Sequence, residues 1–158
     1  MFLCINLDDF QKNNLLINNK IRNNIITNSY FYRLYYSDND FISNGIVICF
    51  NLNNIKMEKY FNKTKIMFNI NNNLANINKL NTIEQELLSS LNIENKENKR
   101  KKCLIKEQLE HGFIKLINDK LDFKEKNVQL VIKISGLWES KNEYGLTFRC
   151  MKVTNKYN

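Results

Sequence analysis

Hydrophobic and polar residues alternate most regularly in the last quarter of the chain, between residues 128 and 153. One run of alternating apolar side chains consists of Val128, Leu130, Ile132 and Ile134, and a second consists of Leu146, Phe148 and Cys150. A period of two places one row of side chains in a core and the other row outside it, which predicts two strands with one buried face each. A polar segment from Gly136 to Tyr144 lies between them, so we expect an antiparallel hairpin with its turn in that segment.

The first half of the chain predicts three further strands and a short one. Alternation and aromatic content predict strands over residues 30–36, 46–52 and 64–70, separated by turn-forming residues. A short strand over residues 2–7 is expected to end at Asp8 and Asp9, because paired acids favour turns. In residues 10–26 the irregularly spaced apolar residues are compatible with a helix or a strand within a loop, and the asparagine-rich parts favour loop. Residues 53–63 are expected to be a helix or a loop.

Two helices are predicted between the third strand and the hairpin. Thr82 and Gln85 form a capping-box pattern, which predicts a helix that runs from there to about Asn92. Apolar residues at helical spacing predict a second helix over residues 104–120. The segment between the helices, residues 93–102, is charged and ends in a basic cluster, so we expect a mobile, solvated loop there.

The predicted elements follow the order strand, strand, strand, two helices, strand, strand. This order is typical of the oligonucleotide-binding (OB) barrel, in which a helix lies between the third and fourth strands. We therefore predict an α+β fold with a single domain over residues 1–158, an antiparallel, partly closed barrel of five or six strands with a two-helix insertion between strands three and four. The alternative is an open antiparallel sheet covered on one face by the two helices.

Composition narrows the classes of partner. The chain has 24 basic and 16 acidic residues, a formal charge of +8, which favours polyanionic partners. Abundant Asn, Lys, Ile and Tyr without proline are also typical of an AT-rich genome, so part of the lysine excess need bind nothing. No apolar run is long enough to cross a bilayer and no signal peptide is recognisable. We therefore expect an intracellular protein, in the cytoplasm or nucleus of the producing cell, with no membrane contact.

Residues that could support catalysis or metal binding are few and scattered. The four cysteines are far apart, which predicts reduced thiols rather than a disulfide framework or a zinc site. They are Cys4, Cys49, Cys103 and Cys150. His111 is the only histidine, and the nearest approach to a carboxylate cluster, Asp38 and Asp40 with the triplet at residues 139–141, falls in predicted turns. The four glycines form no phosphate-binding loop, so we expect a protein that is not an enzyme and takes no cofactor or metal.

Aromatic and basic residues share several predicted strands. Planar rings can stack on unpaired bases while cations contact phosphates, and binding of single-stranded nucleic acid needs both. Most rings should be core, and Trp138 is the best candidate for exposure because we place it in the turn after Gly136. The predicted nucleic-acid contacts on strands and their turn are Phe31, Arg33, Tyr35, Lys65, Lys133, Trp138, Tyr144 and Arg149. The charged loop adds Lys99, Arg100, Lys101 and Lys102, for which a solubilising role is the alternative.

The segment IKISGLWESKNEYGLTFR, residues 132–149, resembles the closing hairpin of single-stranded DNA-binding proteins encoded by large DNA viruses and linear plasmids of AT-rich genomes. The resemblance implies an OB barrel that coats exposed strands during replication or recombination, with Trp138 and Arg149 at its most similar positions. The acidic tail common among replication-type binding proteins is absent from the sequence TNKYN at the end of the chain.

We therefore predict a non-catalytic single-stranded DNA-binding protein, with DNA favoured over RNA as its partner. The alternative is a structural or protein-interaction subunit of a viral or replication assembly that binds no nucleic acid. Its protein partner, or a second copy of the chain, would dock on the apolar sheet face or on the predicted 104–120 helix.

Overall fold

The computed structural model describes residues 4–117 and 124–153, and within these ranges the chain forms twelve strands and two helices. The strands are β1 Ile5–Asn6, β2 Leu15–Ile17, β3 Ile21–Arg22, β4 Tyr30–Ser37, β5 Ile42–Asn44, β6 Ile46–Asn53, β7 Ile55–Tyr60, β8 Lys63–Phe68, β9 Arg100–Lys102, β10 Phe113–Leu116, β11 Asn127–Glu139 and β12 Glu143–Lys152. The helices are α1 Leu74–Ser90 and α2 Leu104–Glu110. Neither helix combines the length and the apolar character that crossing a membrane requires, and this holds for the described residues.

The strands of the described ranges join in one open, mixed sheet. Its main path has the order β1-β6-β11-β12-β10-β8-β7. A second branch leaves β11 through β4, which also pairs with β2, β3 and β5, while β9 pairs with β12. Most pairs are antiparallel, but β1 with β6, β9 with β12 and β10 with β12 are parallel.

Strand β11 is the centre of this sheet. Its first part, up to Ile134, pairs with β6, and its last part, from Gly136, pairs with β4, while β12 runs along its other side. The register shifts between Ile134 and Gly136, which makes Ser135 an extra residue in the ladder. A bulge of this kind reverses which alternate residues face the core. Ile134 and Leu137 are accordingly both buried, although three positions separate them.

The core lies between the two helices and one face of the sheet, which we call the inner face. Helix α1 presents an apolar stripe at helical spacing to the sheet, because buried side chains recur every three or four residues along it. These are Ile77, Leu80, Ile83, Leu87 and Leu88. Glu84 is also fully buried on this helix, and its two carboxylate oxygens accept hydrogen bonds from the backbone N–H groups of Ile105 (3.1 Å) and Lys106 (2.8 Å). The first turn of α2 is therefore held by a side chain of α1.

The predicted OB-type barrel is wrong, since the described sheet has twelve strands, is open and contains parallel pairs. Two segments account for most of the difference. Residues 53–63 were expected to be a helix or a loop, but Ile55 and Met57 alternate inward and form β7. The predicted second helix ends at Glu110, because Gly112 adopts a φ of +69° and ends the helical path, and residues 113–116 form β10 instead. Residues 118–120 of that predicted helix lie outside the described residues, as do residues 2 and 3 of the predicted first strand.

Three smaller predictions also need correction. Helix α1 begins at Leu74 rather than at a cap formed by Thr82, whose hydroxyl instead donates to the carbonyl of Asn78 within the helix. Residues 100–102, expected to be loop, form β9 and pair with β12. Cys4 and Cys49 form a disulfide with a Cα–Cα distance of 6.0 Å, so the prediction of four thiols is wrong for this pair. The pairing of β1 with β6 brings these two cysteines together. They are 45 residues apart in the chain, so no local sign of their contact is present in the sequence.

Candidate nucleic-acid interface

The face of the sheet turned away from the helices, which we call the outer face, carries a line of four cations across four neighbouring strands. Lys65 on β8 lies opposite Lys115 on β10, and Lys133 on β11 lies opposite Arg149 on β12. The pairing of Leu116 with Cys150 sets the register between β10 and β12, and it places Lys115 beside Arg149. We call these four residues, in spatial order Lys65, Lys115, Arg149 and Lys133, the basic row.

Acids in the part of the chain that the structure describes form no ion pairs with the basic row. Glu58, opposite Lys65 on β7, is the acid adjoining the row in the strand register. Strands lie about 4.8 Å apart, so like charges at opposed positions repel each other. A bound polyanion would relieve that repulsion, which makes the row suited to a chain of phosphates.

Two aromatic rings lie on the same face near one end of the row. Trp138 on β11 is opposite Phe31 on β4 on one side and Gly145 on β12 on the other. Both rings are half-buried, so each keeps part of its surface open to solvent. They form a small platform that is about 13 Å from the row, since four residues separate Gly145 from Arg149 at about 3.3 Å each.

Glycines make room for these rings. A Cβ atom on Gly136 would lie 2.3 Å from Cζ of Phe31, and one on Gly145 would lie 3.0 Å from Cζ2 of Trp138, so each ring covers the backbone of a neighbouring strand. An aromatic ring over a glycine also stabilises a sheet without any ligand. The arrangement therefore accounts for the rings' position, and the open part of their surface is what can stack on a base.

The other predicted contacts on β4 and β9 differ in their exposure to solvent and in whether they already bind another side chain. Arg33 is exposed and lies opposite Gly136, and Tyr35 is half-buried two residues further along β4. Lys102 lies beside Gly145 but forms an ion pair with Glu143 at 3.3 Å. Of the remaining members of the basic cluster, Arg100 is exposed, and Lys101 donates to Oε1 of Gln85 on α1 at 2.6 Å.

Tyr144 and Lys99 face the interior, so they cannot make the contacts predicted for them in this conformation. Tyr144 is 6% exposed, and burial raises the pKa of its hydroxyl. Lys99 forms a largely buried ion pair with Glu139 (3.1 Å) and donates to the carbonyl of Ser140 (2.9 Å). Tyr32 donates to the other oxygen of Glu139 (3.0 Å), and burial followed by this acidic partner raises the pKa of the Tyr32 hydroxyl. The charge of Lys99 is thus paired with Glu139 inside the fold.

The position of Trp138 differs from the prediction in one respect. It lies in strand β11 and not in the turn, which is confined to residues 140–142. Its ring points to the outer face because the bulge at Ser135 reverses the alternation that Ile134 would otherwise continue. The expected partial exposure therefore has a different cause from the one predicted.

Sequence reasoning missed three residues of this face. Lys115 and Phe113 lie on β10, where a helix was predicted, and Tyr60 lies on β7, where a helix or loop was predicted. These residues make cation–π contacts. Lys65 Nζ is 4.4 Å from the centroid of the Phe113 ring, and Lys115 Nζ is 5.3 Å from the centroid of the Tyr60 ring. The period of two at Ile55 and Met57 was the available signal, and it would have identified β7.

The described residues contain no group of three or more His, Cys, Asp or Glu side chains that could hold a metal ion. His111 is exposed at the end of α2, where its Nδ1 is 2.6 Å from the backbone carbonyl of Glu107. One cleft, of about 660 Å³, lies between residues 17–20 and 90–94, and its lining includes Tyr32, whose hydroxyl is already bonded to Glu139. The outer face is therefore the surface whose chemistry points most clearly to a ligand.

Comparisons with known proteins add no relative from which a function could be inferred. No protein-family model, curated protein sequence or solved structure matches this chain. The resemblance of residues 132–149 to viral and plasmid single-stranded DNA-binding proteins thus remains a prediction, and the outer face has to be interpreted from its own geometry.

Proposed function

We propose that this chain is a non-catalytic protein that binds single-stranded nucleic acid on its outer face. One observation carries the proposal: four cations that form no ion pair within the described residues cross four neighbouring strands, about 13 Å from two half-buried rings that lie on glycines. With a formal charge of +8, the whole chain also attracts polyanions. This support does not depend on an OB barrel.

Each part of the outer face has a distinct physical role in the proposal. The basic row holds phosphates and releases their counterions, which supplies affinity without regard to sequence. Phe31 and Trp138 stack on bases, and stacking needs bases that are unpaired and can be splayed from their neighbours. Single strands are therefore preferred over duplex. DNA in replication or recombination is the proposed setting, and RNA is tested beside it because stacking and phosphate contacts act on both.

Titration of labelled oligo-dT and oligo-U, followed by fluorescence anisotropy, tests the proposal. The chain has a single tryptophan, so quenching of its intrinsic fluorescence reports directly on stacking at Trp138. We expect binding that weakens as salt rises, quenching of Trp138, and weaker binding to a duplex of equal length. Absence of binding at low salt, or binding that is insensitive to salt, would refute it.

A second candidate function is supported by a different surface. Several large apolar side chains are exposed on and near the β2 and β3 segment, and exposed apolar clusters mark protein-binding sites. They are Leu16 (48% exposed), Ile21 (53%), Ile25 (93%) and Ile26 (48%). The alternative is thus an interaction subunit that docks a protein partner or a second copy here. Light scattering on the purified chain tests the second copy, and a dimer dissociated by Ile25→Ser would favour it.

An intracellular location is also part of the proposal, since nucleic acids are exposed inside cells. The Cys4–Cys49 disulfide bears on it, because disulfides persist mainly in oxidising compartments and at virion surfaces. Thiol titration of protein taken directly from cells, with alkylation at lysis, decides whether this pair is oxidised there.

A further inference from the structure

The hairpin formed by β7 and β8 ends in two exposed aromatic residues. Tyr60 is 48% exposed and Phe61 is 88% exposed. Their rings meet edge to face, with centroids 5.0 Å apart and planes at 86°. Lys59 and Lys63 flank them and are exposed as well. At the tip, therefore, apolar rings are surrounded by positive charge.

The backbone at Phe61 makes this tip unusual. Phe61 is the first of the two loop residues between Tyr60 and Lys63, and its φ is +52°. Two-residue hairpin loops need a positive φ at this position and favour glycine or asparagine there, because a Cβ atom disfavours it. A phenylalanine that is mostly in solvent adds little to the core. Neither backbone preference nor packing explains the ring, which points to a contact outside the chain.

The tip continues the proposed binding surface. Lys115 Nζ lies 5.3 Å from the centroid of Tyr60 and 5.9 Å from that of Phe113, so this member of the basic row adjoins the tip. In the strand registers, the tip and Trp138 lie on opposite sides of the row. About seven residues along the strands and three to four strands across separate them, which corresponds to a path of about 30 Å over the outer face.

We propose that Tyr60 and Phe61 form a second base-stacking site, occupied by another nucleotide of the same single strand that stacks on Trp138. The inference rests on the proposed function and deepens it, because it assigns a diagonal path from Trp138 over the basic row to the hairpin tip. The lysines beside the tip favour a polyanion, and their continuity with the basic row favours a strand already bound there. An anionic membrane and a protein partner are alternatives that the test separates.

The test uses Phe61→Gly, which removes the ring and leaves a residue suited to the positive φ. Its melting temperature should not fall. Oligo-dT of about 4 and about 16 nucleotides is titrated, because these lengths cover about 14 Å and about 54 Å at about 3.4 Å per nucleotide. We expect the longer strand to bind about 5- to 150-fold more weakly to the variant, the loss of one stacked base. Quenching of Trp138 by the shorter strand should be unchanged.

The matched control is Leu74→Ala, which also removes an exposed apolar side chain (49%) but lies at the start of α1, on the side of the sheet opposite the path. It should bind both strands like the original protein. Tyr60→Ala, which leaves the turn residue in place, should reproduce the loss.

The outcomes separate the two proposals. If the original protein binds neither strand, the proposed function fails and this inference fails with it. If it binds and Trp138 is quenched, but Phe61→Gly binds the longer strand equally well, only the inference is overturned. Loss in Phe61→Gly of binding to phosphatidylserine vesicles, or of self-association, with unchanged binding of the longer strand, also overturns it and assigns the tip to a membrane or to a protein.

Discussion

The sharpest consequence of the proposed interface concerns salt. The double variant Lys133→Ala/Arg149→Ala removes the half of the basic row that lies on β11 and β12, where the two residues face each other. Neither side chain takes part in an ion pair within the described residues, so no acid is left without its partner. The change therefore isolates phosphate contacts better than the loss of an ion-paired lysine would.

The size of the effect follows from the number of cations. The logarithm of affinity for a single strand changes with the logarithm of salt concentration by a slope of about −0.7 for each phosphate neutralised. Four contacts give a slope of about −2.8, or about a 50-fold loss of affinity between about 50 and about 200 mM salt. The double variant should retain a slope of about −1.4, or about a 7-fold loss over that range.

Anisotropy titrations of labelled oligo-dT over a series of salt concentrations measure this slope. The control is Lys79→Ala, which removes one positive charge from α1, where Lys79 forms an exposed ion pair with Asp8. It should leave the slope unchanged, and thermal melts establish that all variants are folded. An unchanged slope in the double variant, or an equal change in Lys79→Ala, would refute phosphate binding by the basic row.

Three further predictions concern single sites. Trp138→Ala should weaken oligo-dT binding by about 1 to 3 kcal/mol. It should lower the melting temperature less than Leu137→Ala, which removes a fully buried side chain and costs about 2 to 5 kcal/mol of stability. Equal drops in melting temperature would make Trp138 a packing residue only. Burial raises the pKa of Glu84 from its ordinary value, so its contribution to stability is fully present below the unfolded pKa and is lost as pH rises through the folded pKa. Urea unfolding should show the original protein losing stability relative to Glu84→Gln over this rise in pH, and parallel pH profiles of the two proteins would contradict the prediction. Reduction of Cys4–Cys49, which closes a 45-residue separation, should cost about 2 to 4 kcal/mol in the same assay, whereas identical unfolding midpoints with and without reductant would show that the cross-link stabilises nothing.

Strands in which buried and exposed residues alternate regularly over a long stretch were predicted well from the sequence. Strands β4, β6, β8 and the β11–β12 hairpin all lie where alternation was found. In each, the inner face packs against the common core, so burial and local pattern agree. The strand partners were less predictable, because parallel pairs such as β10 with β12 join segments that are far apart in the chain.

The failed predictions share a physical cause. In β7 the exposed positions carry Lys56, Glu58 and Lys59, and in β10 only two residues, Ile114 and Leu116, are buried. Such short strands are stabilised by pairing with β8, which lies between them, and not by their own propensity. A helical pattern over residues 104–117 was equally compatible with the sequence, and tertiary pairing decided against it.

The composition of the candidate site depends on a single extra residue. If the alternation of Ile132 and Ile134 continued through β11, Trp138 would face the core and Glu139 would face solvent. Because Ser135 bulges from the ladder, Trp138 instead reaches the outer face.

The same bulge makes Glu139 face inward, and there its carboxylate contacts Tyr32 and Lys99. The bulge therefore has two effects. It places Glu139 and its partner Lys99 away from the outer face, and it places the ring of Trp138 on that face. On the outer face, the four cations of the basic row form no ion pair within the described residues, and the nearby platform is aromatic. Period-two alternation places Lys133 and Arg149 correctly because both lie within regular alternation. Extended past Ser135, the same alternation would exchange the faces of Trp138 and Glu139, and with them the local charge of the surface.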